Sequence, residues 1–151
     1  MMKQLFIVVL ALFLAACGGS SDSGGEVAET QPGDMLPANF VGTYTGTLNL
    51  TASAAGLSES DSFTITITVF ANGTVRFDGD DPDETFTVGI TNAGDFAGSA
   101  NIMEDECSGT INVVGRVDGT TASGTVDGEG SCTVNGLSLD VELSGDFNAT
   151  K

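Results

Sequence analysis

FTITITVFANGTVRF, residues 63–77, contains two apolar alternations joined by one turn, and the way they meet decides the fold. Phe63, Ile65, Ile67 and Val69 fall on one face, with Thr64, Thr66 and Thr68 on the other. That is the period of two expected of a half-buried strand. Beyond the turn, Val75 and Phe77 alternate with Thr74 and Arg76. A two-residue loop at Asn72-Gly73 would set Val69 against Arg76 and mix the faces. A three-residue loop through Ala71, with Gly73 left-handed, opposes Val69 to Val75 and Ile67 to Phe77. The hydrophobic pattern selects the second, a type I turn with a G1 bulge.

The same rhythm extends in both directions. Upstream, Phe40, Gly42, Tyr44, Gly46, Leu48 and Leu50 share a face opposite Thr43, Thr45, Thr47, Asn49 and Thr51, and a polar Ser/Ala-rich connection leads to Phe63. Downstream, Phe86, Val88 and Ile90 face Phe96, Gly98 and Ala100 across Asn92-Ala93-Gly94. A strand over about 108–117 turns at Asp118-Gly119 into a Gly-broken strand reaching Val134. A two-residue turn there opposes Ile111 to Val126 and leaves Cys107 beside Gly130, two residues short of Cys132. A bulge or diagonal pairing would then join the cysteines. Asn135-Gly136 leads into a last strand whose Leu137, Leu139, Val141, Leu143 and Phe147 alternate with polar residues. No window supports a long amphipathic helix.

The fold expected is therefore all-β, an up-and-down antiparallel meander of about eight strands closed into a barrel by pairing the last strand with the first. A two-sheet β-sandwich is the alternative. In architecture alone, such a barrel is similar to lipocalin-like and streptavidin-like barrels. Inward glycines at 42, 46, 98, 115, 124 and 145 permit tight bending. A closed barrel has no free edge, which points to a monomer.

The chain begins differently. Lys3 precedes an apolar run from Leu5 to Leu14, well short of the roughly 20 residues that span a bilayer but suited to a secretory signal. The run ends in Leu14-Ala15-Ala16-Cys17, followed by Gly18-Gly19-Ser20-Ser21. This resembles the lipobox of bacterial lipoproteins. The resemblance implies that Cys17 takes a diacylglycerol, that signal peptidase II removes residues 1–16, and that acyl chains hold the protein at a membrane. Gly18, in place of the Asp associated with inner-membrane retention, implies outer-membrane sorting. Residues 17–36 then form the lipidated cysteine and a flexible, acidic Gly/Ser tether, and 37–151 a single β-barrel domain.

Composition narrows the function. Removing residues 1–16 leaves three cations, Arg76, Arg116 and Lys151, against 21 carboxylates, a formal charge of −18. Such a body repels nucleic acid and anionic lipid headgroups. The chain has no His and no Trp, and its one Tyr is Tyr44. The commonest general base is missing, and Ser–His and Cys–His nucleophile pairs cannot form. With Cys17 lipidated, Cys107 and Cys132 are the pair expected to form one disulfide in an exported protein.

One constellation invites a ligand. Asp78-Gly79-Asp80-Asp81-Pro82-Asp83-Glu84 and Glu104-Asp105-Glu106 fall at connections on the same end of a meander, with Glu59 and Asp61 nearby. Clustered carboxylate oxygens suit Ca²⁺, although Pro82 and Thr85 break the EF-hand spacing. Otherwise these acids are solvated loop charge. A glycosidase pair is disfavoured, because the acids lie in loops and no Trp offers a sugar platform. The function expected is a membrane-anchored cell-envelope lipoprotein, non-enzymatic, acting as a structural or interaction module without an obligatory cofactor. The alternatives are a barrel binding a small hydrophobic ligand and a Ca²⁺-dependent adhesion or stabilising module.

Overall fold

The computed structural model describes residues 36–78, 85–104, 107–134 and 136–151. Alternating apolar residues build eight antiparallel strands: β1 (Gly42–Ala54), β2 (Leu57–Val69), β3 (Thr74–Asp78), β4 (Thr85–Gly89), β5 (Asp95–Glu104), β6 (Cys107–Val117), β7 (Thr121–Val134) and β8 (Leu137–Thr150). They form one sheet in the order β4-β3-β2-β1-β8-β7-β6-β5. The first and last strands pair along Thr45–Ala54, as the meander requires. A single curled sheet replaces the sandwich alternative. Its ends meet between β4 and β5, where Ile90–Phe96 is a lone bridge, so the barrel is nearly rather than fully closed.

The β2–β3 hairpin has the expected register, with Val69 opposite Val75 and Ile67 opposite Phe77, and Gly73 at φ 82°. Three other pairings depart from expectation. The polar connection after Leu50 is a continuous hairpin. β1 and β2 pair from Gly42–Val69 to Ala54–Leu57, turning at Ala55-Gly56 with φ of 51° and 80°. Two consecutive positive φ values mark the type I′ turn. Polar rungs take the place of apolar contrast there, with Thr51–Ser60 and Ser53–Ser58 hydroxyls 2.7 and 2.8 Å apart. Glu59 and Asp61 therefore lie within β2, not in a loop.

The β6–β7 register is shifted by two residues from expectation. Val113 opposes Val126 and Ile111 opposes Gly128, which places Cys107 directly opposite Cys132 without a bulge. The two-residue turn is Gly119-Thr120, with Gly119 at φ 92°. Asp118 lies outside it and accepts hydrogen bonds from the Thr121 amide (3.2 Å) and hydroxyl (2.7 Å). Finally, β4 and β5 do not form the ladder that the pattern suggested beyond Ile90–Phe96.

Inward faces pack into one main core running from Leu36 and Tyr44 through Ile67, Val75 and Val117 to Leu143. Phe77 sits at its centre, with ring centroids 5.9 Å from Phe86, 5.7 Å from Phe96 and 5.8 Å from Phe147. The Phe96 and Phe147 contacts are edge-on, and such packing adds about 0.5–1.5 kcal/mol per pair beyond burial. A second small cluster of Cys107, Cys132 and Val141 lies around the Cys107–Cys132 disulfide.

Candidate functional site: the two ends of the barrel

The meander places the β1–β2, β3–β4, β5–β6 and β7–β8 connections at one end, here called distal, and the entering chain at the other. Of the acids expected at the distal end, Asp78 closes β3 opposite Thr66 and Thr85. Its carboxylate is engaged by the guanidinium of Arg76, 2.9 Å away. Glu104 ends β5, its backbone opposite Cys107. Asp80, Asp81, Asp83, Glu84, Asp105 and Glu106 lie outside the described residues, as does Cys17. Glu59 and Asp61 occupy inward-parity positions opposite Ala52 and Leu50, yet Asp61 is exposed. β3 reaches β2 only at Thr66–Val69, leaving that part of β2 without a β3 neighbour among the described residues. Among the described residues, no group of three or more carboxylates or cysteines is placed to hold a metal ion.

At the proximal end Tyr44 is fully buried. Its hydroxyl donates to the Phe40 carbonyl at 2.7 Å and lies 3.2 Å from the Gly119 carbonyl. Burial, and then the nearby Asp118 carboxylate, push the phenol above its ordinary pKa, because both disfavour the phenolate. Asp118 itself is held below the usual carboxylate range, chiefly by the Thr121 hydroxyl and amide. Lys151 donates to the carbonyls of Val41 (2.6 Å) and Asn39 (3.2 Å), and its ammonium stands 5.6 Å from the Tyr44 ring centroid. Tyr44 and Lys151 thus fasten residues 39–41 across the barrel's proximal end.

The outer face carries two polar rungs that sequence reasoning did not find. On β2-β1-β8, the Ser62 hydroxyl donates to Asn49 (2.8 Å), whose amide donates to Asp146 (3.3 Å). On β5-β6-β7, the Ser99 hydroxyl donates to Asn112 (2.9 Å), whose amide donates to Asp127 (3.0 Å). The signal was in the chain: Gly46-Thr47-Leu48-Asn49-Leu50 and Gly109-Thr110-Ile111-Asn112-Val113 share one pattern. Each Asn bridges two neighbouring strands on a wet face. Apart from the Tyr44 phenol, no polar or charged side chain among the described residues is buried, so the described interior offers an incoming molecule apolar contacts and little acid–base chemistry.

No protein-family model matches the chain, and no curated protein matches its sequence. Among solved structures it is similar to a Trp-to-Ala mutant of the vaccine antigen Transferrin Binding Protein B from Haemophilus parasuis Hp5, with 12% identity and a TM-score of 0.46. That match covers 77% of this chain and 28% of the other. Likeness of this degree identifies neither a family nor a partner.

Proposed function

We propose that the chain is a lipid-anchored cell-envelope module, non-enzymatic, which carries an acidic β-barrel on a tether and serves as a structural or interaction element. The observation that carries this reading is Leu14-Ala15-Ala16-Cys17 at the end of an uninterrupted apolar run. The barrel supports it in two ways. Residue 36 joins the core at the proximal end, away from the distal connections, so a tether can hold the domain without crossing the distal face. Phe77, Phe96 and Phe147 pack against one another in the interior, Phe96 and Phe147 stacked and Phe77 edge-on to both. Side chains rather than a ligand fill that section, which favours the outer surface and ends as the places of contact. The outer membrane is the destination that Gly18 favours.

The test is metabolic labelling with radioactive palmitate in a bacterial host, followed by detergent-phase partitioning. Labelling and detergent partitioning of the wild-type chain, both lost in Cys17→Ser, are the expected results. A Cys17→Ser chain that still takes label, or a wild-type chain that takes none, would overturn the anchored reading.

A further inference from the structure

The β7–β8 hairpin outruns the strand beside it. β1 ends at Ala54, opposite Val141, and turns back at Ala55-Gly56, whereas β8 begins further out, at Leu137. Leu137–Asp140 thus form a ledge about 13 Å long at the distal rim. Lys151 donates its amide to Thr120 on the β7 side, and the β7–β8 register runs unbroken from Thr121–Thr150 to Val134–Leu137. Successive residues of an antiparallel strand turn their main-chain groups to opposite sides. Ser138 and Asp140, in opposite phase to Lys151, therefore turn their amides and carbonyls away from β7, toward the space that β1 leaves. No main-chain group of the described residues meets them there. The space is open. Leu137 is 68% exposed, the highest value among the described large apolar residues. Ser138 and Asp140 are exposed, and a Cβ on Gly56 would meet nothing within 4 Å.

A strand edge with unpaired amides and carbonyls is a template for another strand, and here side chains and charge define what fits it. A segment in line with β1 would oppose Leu137 and Leu139 on the inward face and Ser138 and Asp140 on the outer one. Next to Asp140 on that outer face stand Glu142 and, directly opposite it on β7, Glu129. Like charges opposed in this way are destabilising. Both are exposed, and neither has a cationic partner among the described residues. β7 and β8 hold no Lys or Arg. A second copy of this chain would bring its own acids to the ledge and be repelled, whereas a segment of opposite sign would be drawn in. The hairpin is also braced, because Cys132, opposite Leu139, is linked to Cys107 on β6. Docking would then order little of the protein.

We propose that Leu137–Asp140 of β8 is a docking ledge for a short extended segment of a partner protein, alternating basic and apolar residues, which continues the line of β1. The inference rests on reading the domain as an interaction module and names the chemistry of its partner. Main-chain hydrogen bonds to Ser138 and Asp140 would supply affinity. Apolar residues against Leu137 and Leu139, and basic ones near Asp140, Glu142 and Glu129, would supply specificity.

The experiment titrates the purified full-length protein with a fluorescent peptide of alternating Lys and Val, long enough to cover Leu137–Asp140. Its comparator is the same peptide N-methylated along its backbone, which keeps the charge and removes strand hydrogen bonding. A companion variant, Ser138→Pro, deletes an amide that points away from β7 and so spares the hairpin ladder. The expected result is binding by the first peptide that weakens by about tenfold as salt is raised. Binding should be lost on N-methylation and in Ser138→Pro, and hydrogen exchange should slow at the Ser138 and Asp140 amides. Equal binding by the N-methylated peptide, protection centred on other strands, or no binding by the unmodified peptide would each overturn the docking ledge. So would a Ser138→Pro chain that melts with the wild type and still binds; should that variant melt early, the N-methylated comparator decides with the wild-type chain alone. None of these outcomes bears on whether Cys17 is lipidated, so the two readings fail separately.

Discussion

Tyr44 allows the proximal end of the barrel to be tested with one chromophore. It is the chain's one tyrosine, and there is no tryptophan, so the phenolate absorbance near 295 nm reports this residue alone. The phenol is fully buried, and its pKa is raised by burial and then by Asp118. The folded state therefore holds the proton to higher pH than the unfolded chain does. The resulting stability is whole below the unfolded pKa of about 10 and is lost as pH rises from there through the folded value. The native protein should titrate later than free tyrosine, and its melting temperature should begin to fall above about pH 10. Tyr44→Phe removes the hydroxyl that donates to Phe40 at 2.7 Å and lies near Gly119 at 3.2 Å. Losing one net hydrogen bond and leaving a carbonyl poorly satisfied costs about 1–2 kcal/mol, or roughly 4–8 °C in melting temperature. The assays are a spectrophotometric titration and thermal melts at neutral and alkaline pH. A native phenol titrating at or below the free value, or a Phe variant melting with the wild type, would refute the account.

Three further outcomes are expected. Phe147→Ala empties a ring packed against Phe77 and Phe96, and urea unfolding should show a loss of about 3–5 kcal/mol. Replacing both Cys107 and Cys132 by Ser opens a link between residues 25 apart; the urea midpoint should fall by the equivalent of about 3–4 kcal/mol. Gly46→Ala drives a methyl to within 1.9 Å of the Asn148 carbonyl oxygen, a backbone atom that cannot swing aside, so unfolding should show a loss of about 3 kcal/mol.

The parts of this fold legible in the chain were those where one face is apolar and a single register keeps it so. Val69 and Val75 could be opposed in only one way without mixing faces, and the β2–β3 hairpin followed. Between Thr51 and Ser62 that contrast vanishes, since acids take the inward-parity positions of β2, serines and a threonine line the other face, and hydroxyl pairs hold the hairpin instead. At β6–β7 the Asp118-Gly119 dipeptide suggested the turn, but Asp118 serves better outside it, where its carboxylate takes both donors of Thr121. The mismatch of Cys107 with Gly130 was the clue to the true register. The seam between β4 and β5 was illegible because the alternation on both strands is sound; only the missing backbone ladder distinguishes an edge from a closed wall. Among the acids, the pattern showed how they group along the chain but not that Arg76 engages Asp78.

The position of β1 has a mechanical consequence. It enters at the proximal end and is hydrogen-bonded along its whole length to β2, and along Thr45–Ala54 to β8. A pull on residue 41, as a membrane anchor would deliver when the cell surface is sheared, acts along the strand's own axis. Both ladders then bear the load in parallel instead of opening pair by pair, and Lys151 fastens the point of entry through Val41 and Asn39. On the anchored reading, the barrel is held by the strand best placed to resist extraction.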